Sequence, residues 1–508
     1  MAAFVNSILK WIMKKRVHQI ELFKQYPDEV QEEWLQDLVK TAQATEWGKK
    51  YGYESISTVD DFKDRIPIQD YDSIKPYIER MMNGEQNILW PSTIKWFAKS
   101  SGTTSDRSKY IPVSQEALEE CHYAGGKDLL SIYCLNCPDN NLFEGKGLVL
   151  GGSHQINALG KTSSGDLSAI IVQNLPFWAE YHRFPDIELT LNPNFEEKIE
   201  KIAHLGLTEN ITSLSGVPTW NVVLAKRMLE ISGKSNLLEI WPNLEFYFHG
   251  GVSFKPYREQ FRQLIPSDNM YYLENYNASE GYFAIQDLPD SDEMLLMLDY
   301  GIYYEFMPME NLHDEHPKTL TLSEVELNKN YAIIISTNAG LWRYMIGDTI
   351  RFTSLYPFRI QVSGRTKQYI NVFGEELIVD NAEDGISEAC KQTGAIVKDY
   401  TAGPVYFDGT EAGAHEWIVE LAKEPSSRAE FITALDESLR KINSDYDAKR
   451  FNNLALKEPI VHFAKEGTFY KWMKGRGKLG GQNKVPRLSN DRSFIDPIIQ
   501  MLKNDTGS

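Results

Sequence analysis

Four short stretches hold residue types that could do chemistry. The first is "AKSSGTTSDRSKYIPVS", Ala98 to Ser114, in which six of the seven residues from Ser100 to Asp106 are Ser, Thr or Gly. Small residues let a backbone come close to a ligand, and successive N–H groups and hydroxyls can surround an anion. Ser100, Ser101, Gly102, Thr103 and Thr104 are therefore candidates for a phosphate loop, with Lys109 within reach. A solvated Ser/Gly linker is the competing reading. The second stretch is "ENYNASEGYFAIQ" (274–286). An aromatic-rich strand end accounts for most of it, but not for Ser279-Glu280-Gly281 in its middle. Glu280 has the hard oxygen ligand that a cation such as Mg²⁺ takes, and the Tyr276 ring is suited to lie along a planar base. The third is "GLWRYMIGDTIRF" (340–352), where Asp348 could accept two hydroxyl hydrogen bonds, as from a ribose; Gly347-Asp348 also reads as a hairpin turn. The fourth is "KWMKGRGKLGGQNKVPR" (471–487), with six basic residues and no acid. Either it is a solvated basic tail, or a loop that carries a lysine to a phosphate and stabilises charge there.

Other matches fall away. "GRGKLG" (475–480) lacks room for the strand–helix–strand unit that a dinucleotide fingerprint needs. "HDEH" (313–316) and the CxxC of Cys134 and Cys137 lack the further ligands of a metal site. Four cysteines are too few for a disulfide scaffold. A net charge of −18 argues against nucleic acid as a partner, and no run of eighteen apolar residues suggests a membrane span. A cytoplasmic monomer acting on small molecules is the expectation.

The elements that must position these stretches follow from periodicity. The first sixty residues read as helical, with Val30, Trp34, Leu35, Leu38 and Val39 at helical spacing behind Pro27-Asp28-Glu29. From about residue 95, short apolar runs predict strands: "IKWFA" (94–98), "KGLVLGG" (146–152), "LSAIIVQ" (167–173), "LEFYFHGG" (244–251), "MLLMLDYGIYYEFMP" (294–308) and "NYAIIIST" (330–337). Helical windows at 195–204 and 218–231 lie between them, an α/β pattern. Beyond Ser363-Gly364-Arg365 a helix near 380–393, a strand at 416–422, a helix near 427–444 and a strand at 459–465 suffice for a small α+β domain. The expected division is 1–363 and 364–508.

Each stretch is soft alone, but their order is informative. A Ser/Thr/Gly loop, an aromatic segment with Ser-Glu, a Gly-Asp, a Gly-Arg hinge and a late lysine resemble the adenylate-forming superfamily. "FAKSSGTTSDRSKYIPVS", "YNASEGYFA", "RYMIGD" and "QNKVPR" resemble the acyl acid amido synthetases of the Gretchen Hagen 3 (auxin-responsive) family, in wording closer to bacterial than to plant members. The resemblance runs over essentially the whole chain. It implies a large N-terminal domain of sheets and a distorted barrel flanked by helices, with a small mobile α+β C-terminal domain. It implies ATP and Mg²⁺ as cofactors and two half-reactions: an acid carboxylate attacks the α-phosphate of ATP to give an acyl-adenylate, and an amino acid amine then displaces AMP.

The roles carried over by the resemblance are specific. Ser100 to Thr104 would cradle the phosphates, Glu280 would hold Mg²⁺, and Asp348 would bind the ribose hydroxyls. Gly251, Val252 and Tyr276 would border the adenine, and Ala278 and Ser279 would complete the nucleotide site beside the α-phosphate. Arg365 and Lys367 would lie at the hinge, and Lys484 would bridge the α-phosphate and the acid. Val217, Thr219 and Trp220 in "SLSGVPTW" are candidates for the acid pocket, with indole-3-acetate as the family's best-known substrate. An acyl-CoA ligase, and a non-catalytic binding protein on the same scaffold, remain open alternatives at this stage.

Overall fold

The computed structural model describes residues 16–506, apart from 101–108, 151–156, 160, 176, 193, 252–253, 255–256, 313, 367–368, 376, 408–411, 454 and 477–484. The N-terminal part is helical, as its periodicity predicts. Pro27 opens the helix Pro27–Ala42, with Asp28 and Glu29 in its first turn and Leu35, Leu38 and Val39 buried. A capping box between Thr58 and Asp61 starts Val59–Arg65.

Two sheets follow. The strands Trp96–Ser100 and Lys109–Val113 pair antiparallel inside a four-stranded sheet, with Ser100 directly opposite Lys109. The larger sheet has eleven strands and two halves. Its parallel half runs Arg183–Phe184, Lys146–Val149, Ile211–Ser215, Phe246–Gly250 and Tyr271–Ala278. Its antiparallel half continues through Gly281–Ile285, Met294–Leu296, Phe358–Arg365, Tyr344–Leu355, Asn330–Thr337 and Ile302–Pro308. Tyr271–Ala278 is the strand where one half passes into the other. Ligands of α/β sheets sit at the carboxyl ends of parallel strands, and Gly251, Val217 and Ser279 follow three such ends.

One strand expectation is overturned. "LSAIIVQ" forms the helix Leu167–Gln173, with Ala169, Ile170 and Val172 buried. A seven-residue apolar run has no periodicity to separate a buried strand from a buried helix, so packing decides.

The small C-terminal unit is α+β. Its three-stranded sheet comprises Ile396–Val405, Ala414–Lys423 and Ile460–Ala464, covered by Val379–Thr393 and Arg428–Ile442. The Phe358–Arg365 strand runs through the expected division at 363/364, since Arg365 still pairs with Asp348 in the large sheet. Residues of the small unit, among them Ile370 and Phe373, share one apolar cluster with Leu148, Leu214 and Tyr247 of the parallel half. The Tyr257 hydroxyl also donates across this contact to the Val372 carbonyl at 2.8 Å.

Candidate active site

The carboxyl ends of the parallel strands open onto a cleft of about 790 Å³ that both units line. Ser100, Gly251, Tyr276, Ala278, Ser279, Glu280, Asp348 and Arg365 all reach it. Residues from five separate parts of the chain thus meet in one place.

Backbone geometry brings them there. Ser279 and Glu280 are the two-residue turn between Tyr271–Ala278 and Gly281–Ile285, closed by the Ala278–Gly281 pair. Asp348 lies within the strand Tyr344–Leu355, not in a hairpin turn. Gly347 before it has φ +102°, a left-handed conformation that a side chain would resist. Gly250 ends its strand against Asn275, and a Cβ there would lie 2.5 Å from the Asn275 carbonyl oxygen. Only glycine lets those two strands close at this edge.

Asp348 is the electrostatic centre. Its Oδ2 accepts from the Tyr276 hydroxyl at 2.7 Å and its Oδ1 accepts from Arg365 Nε at 2.7 Å. Arg365 faces Asp348 across the strand pair, so register alone aligns them. Its guanidinium also lies 5.1 Å from the Tyr369 ring centroid. Burial, and then the Asp348 charge, push the Tyr276 phenol well above its ordinary value, so it stays a donor. Each carboxylate oxygen has a second lone pair for a further donor. Glu280 is half-buried, and that burial pushes its carboxyl up to about 7 against the pull of Lys109.

Of the acid-pocket candidates, Val217 borders the cleft residue Gly251. Val217 Cγ2 is 3.8 Å from where a Gly251 Cβ would be. Trp220 lies under Lys449 of the small unit, whose Nζ is 3.6 Å from the indole centroid. Thr219 belongs to the helix Pro218–Ser232. Ser101, Gly102, Thr103, Thr104, Val252, Lys367 and Lys484 lie outside the described residues.

Some cleft residues carry no sequence signal. Asn371, Ser444, Asp445 and Asn490 come from three segments of the small unit. Arg343 was equally silent. It holds φ +43° and is buried, with Nε and Nη2 on Glu305 at 2.9 and 2.8 Å and Nη1 on the Lys63 and Ile66 carbonyls. This clamp ties the N-terminal helices to the strand that carries Asp348. Among the described residues, no group of three His, Cys, Asp or Glu side chains is placed to hold a metal ion.

Residues 16–270, 295–365 and 380–493 match the N-terminal, central and C-terminal domains of the GH3 family. The chain belongs to the GH3 family. Its relatives include the indole-3-acetic acid-amido synthetase GH3.3 of Arabidopsis thaliana, 24% identical, with 96% of this chain and 93% of the relative covered. The jasmonoyl–L-amino acid synthetase JAR4 of Nicotiana attenuata is also 24% identical, with 99% and 98% covered. Among solved structures, the GH3.15 acyl acid amido synthetase superposes with a TM-score of 0.61 at 16% identity, covering 97% of this chain and 96% of that one. A 2-hydroxyisobutyryl-CoA ligase gives 0.53 at 13% identity, with 94% and 93% covered. The GH3 fold is thus that of a mixed α/β protein with a large sheet domain and a smaller C-terminal domain.

Proposed function

We propose that this GH3 protein is an ATP-dependent acyl acid amido synthetase. It adenylates a carboxylic acid and joins it to an amino acid, releasing pyrophosphate and then AMP. The observation that carries the reading is the cleft itself: in a chain matched over the family's three domains, Tyr276, Ser279, Glu280, Asp348 and Arg365 converge there. The amido synthetase names of its full-length relatives support the class.

The residues have work that suits this chemistry. Asp348 accepts from the ribose hydroxyls through its remaining lone pairs, and Tyr276 holds its carboxylate in place. Gly251 and Val252 border the base with the Tyr276 ring. Ser279 and Ala278, with Ser100 to Thr104, face the phosphates. The acid carboxylate attacks the α-phosphorus, and the P–O bond to pyrophosphate breaks. The free acid is a poor acylating agent, and the adenylate supplies a leaving group, so one hard step becomes two easier ones.

Glu280 is the carboxylate for Mg²⁺. A single protein carboxylate suits this ion, which keeps waters and takes substrate phosphates as its other ligands; when bound it neutralises phosphate charge. We assign Lys484 to the α-phosphate and the acid during adenylation, and Arg365 with Lys367 to the hinge between a domain at 1–363 and one at 364–508. The acid is an aromatic one such as indole-3-acetate, held near Val217, Thr219 and Trp220. No helix among the described residues is long and apolar enough to cross a membrane. The four free thiols accord with a reducing compartment, and we place a monomeric enzyme in the cytoplasm.

The test is pyrophosphate release with ATP, Mg²⁺ and a panel of acids, followed by addition of amino acids or CoA. Amide product supports the reading. A product formed only with CoA would make the protein an acyl-CoA ligase, and no ATP consumption with any acid would leave a binding protein.

A further inference from the structure

The strand Trp96–Ser100 leads into the candidate phosphate loop, and Lys99 is its last residue but one. Phe97 and Ala98 are buried and fix the strand, while Lys99 is half-buried and lies on the cleft lining. Trp96–Ser100 runs parallel to Thr162–Gly165, with Ala98 opposite Gly165. Lys99 and Asp166 directly follow that pair, and both line the cleft. The carboxyl ends of two parallel strands of the four-stranded sheet thus open onto the cleft, as those of the large sheet also do.

The described cleft lining holds four cations, and three of them are engaged within the protein. Lys109 stands opposite Ser100 across the strand pair, with its Nζ 5.6 Å from the Tyr71 ring centroid, and it faces Glu280. Arg365 is on Asp348, and Arg351 donates to Gln361 at 2.7 Å. Lys99 is the fourth. Among the described residues, no ion pair, hydrogen bond or aromatic ring holds its ammonium. Its neighbour Asp166 acts on the buried Lys198. Successive residues of a strand point to opposite faces, so Lys99 leaves the strand pair on the face away from Ser100 and Lys109.

A half-buried ammonium in this state is placed for an anion that arrives with the substrate. ATP brings one. When the acid carboxylate attacks the α-phosphorus, the P–O bond to the β-phosphate breaks. Its electron pair stays on the bridging oxygen, which leaves with pyrophosphate, and no proton needs to move. A fixed ammonium stabilises the negative charge that grows on this leaving group. Ser100 to Thr104 supply neutral donors only, so the positive charge must come from elsewhere.

We propose that Lys99 binds the β- and γ-phosphates of ATP and holds the departing pyrophosphate in the adenylation step. This rests on the amido synthetase reading. The four-stranded sheet then takes the pyrophosphate end of the nucleotide, while the large sheet takes the ribose end through Asp348. The α-phosphate, and the AMP that remains, do not depend on Lys99.

The experiment uses the full-length protein and compares ligands with and without the outer phosphates. Lys99→Gln should raise the KM for pyrophosphate in ATP–pyrophosphate exchange about tenfold or more, as expected for the loss of a charge-assisted hydrogen bond. In isothermal titration it should weaken a non-hydrolysable ATP analogue by a similar factor and leave AMP within twofold of wild type, which also shows that the variant folds. Lys99→Arg should recover most of both losses. Amide formation from pre-made acyl-adenylate, and its KM for the amino acid, should stay within twofold. A pyrophosphate KM in Lys99→Gln within twofold of wild type overturns the inference, as does an equal loss of AMP and of the ATP analogue. A raised amino acid KM with pyrophosphate unchanged also overturns it, and gives the ammonium to the acceptor's carboxylate. Each of these leaves the proposed function standing. A wild type that neither exchanges with any acid nor binds the ATP analogue defeats the function and the inference together.

Discussion

Asparagine in place of Asp348 would test how the nucleotide is held. In the structure one oxygen of Asp348 accepts from Tyr276 and the other from Arg365, each at 2.7 Å. An asparagine amide must turn its NH₂ away from Arg365, which can only donate. Its oxygen then stays on Arg365 and its nitrogen faces the Tyr276 hydroxyl, which can rotate to accept. The ribose loses one of its two acceptors, and the negative charge is gone. A hydrogen bond to a charged group contributes roughly 1.5–3 kcal/mol, which at about 1.4 kcal/mol per decade is roughly a 10- to 150-fold weaker affinity for ATP. Tyr276→Phe keeps the carboxylate and removes one bond to it, so its loss should be smaller, about 1–1.5 kcal/mol. Isothermal titration with a non-hydrolysable ATP analogue measures both, and urea unfolding checks that the variants fold. Binding by folded Asp348→Asn within twofold of wild type would refute the ribose role. A larger loss in Tyr276→Phe than in Asp348→Asn would show that the hydroxyl acts on the nucleotide directly and not through Asp348.

Further outcomes follow from the same geometry. With Mg²⁺ kept below saturation, exchange should rise as pH passes through about 7, because the raised Glu280 carboxyl must release its proton before it takes the metal; the pH profile of exchange measures this. The folded form holds that proton more tightly than the unfolded chain does. Its contribution to stability is therefore full below the unfolded value and is lost as pH rises through about 7. Glu280→Gln should gain thermal stability over wild type at pH 8 but not at pH 4.5, while losing exchange activity. Gly250→Ala forces a methyl toward the Asn275 carbonyl at 2.5 Å, and should cost about 1–3 kcal/mol in urea unfolding, as overpacking does. Lys484→Ala should abolish most pyrophosphate exchange and spare amide formation from pre-made acyl-adenylate; equal loss in both steps would contradict its assignment.

Motif content and order were legible in the residues. Ser279-Glu280 and Gly347-Asp348 stand out because glycine and charge interrupt apolar strands, and such local breaks survive in any fold that buries those strands. Helices with caps and regular spacing were legible for the same reason: Pro27–Ala42 and Pro218–Ser232 have Pro within their first turns. "LSAIIVQ" was not, because seven apolar residues suit either a buried strand or a buried helix. The Arg343 clamp was hidden because its partners Glu305, Lys63 and Ile66 are distant in the chain and none belongs to a local pattern.

By itself the sequence determined which groups are available and the order in which they occur, since spacing, caps and glycines act within a turn or a strand. Only the tertiary structure decided what those groups face. It set Asp348 between Tyr276 and Arg365, since cross-strand register pairs Asp348 with Arg365. It buried Glu280 enough to raise its carboxyl, because desolvation depends on everything packed around a group. It also brought Asp445 into the cleft that Asp348 lines and Lys449 onto Trp220. These residues belong to different domains, and no short-range pattern can encode a contact that exists only once both domains have folded and met.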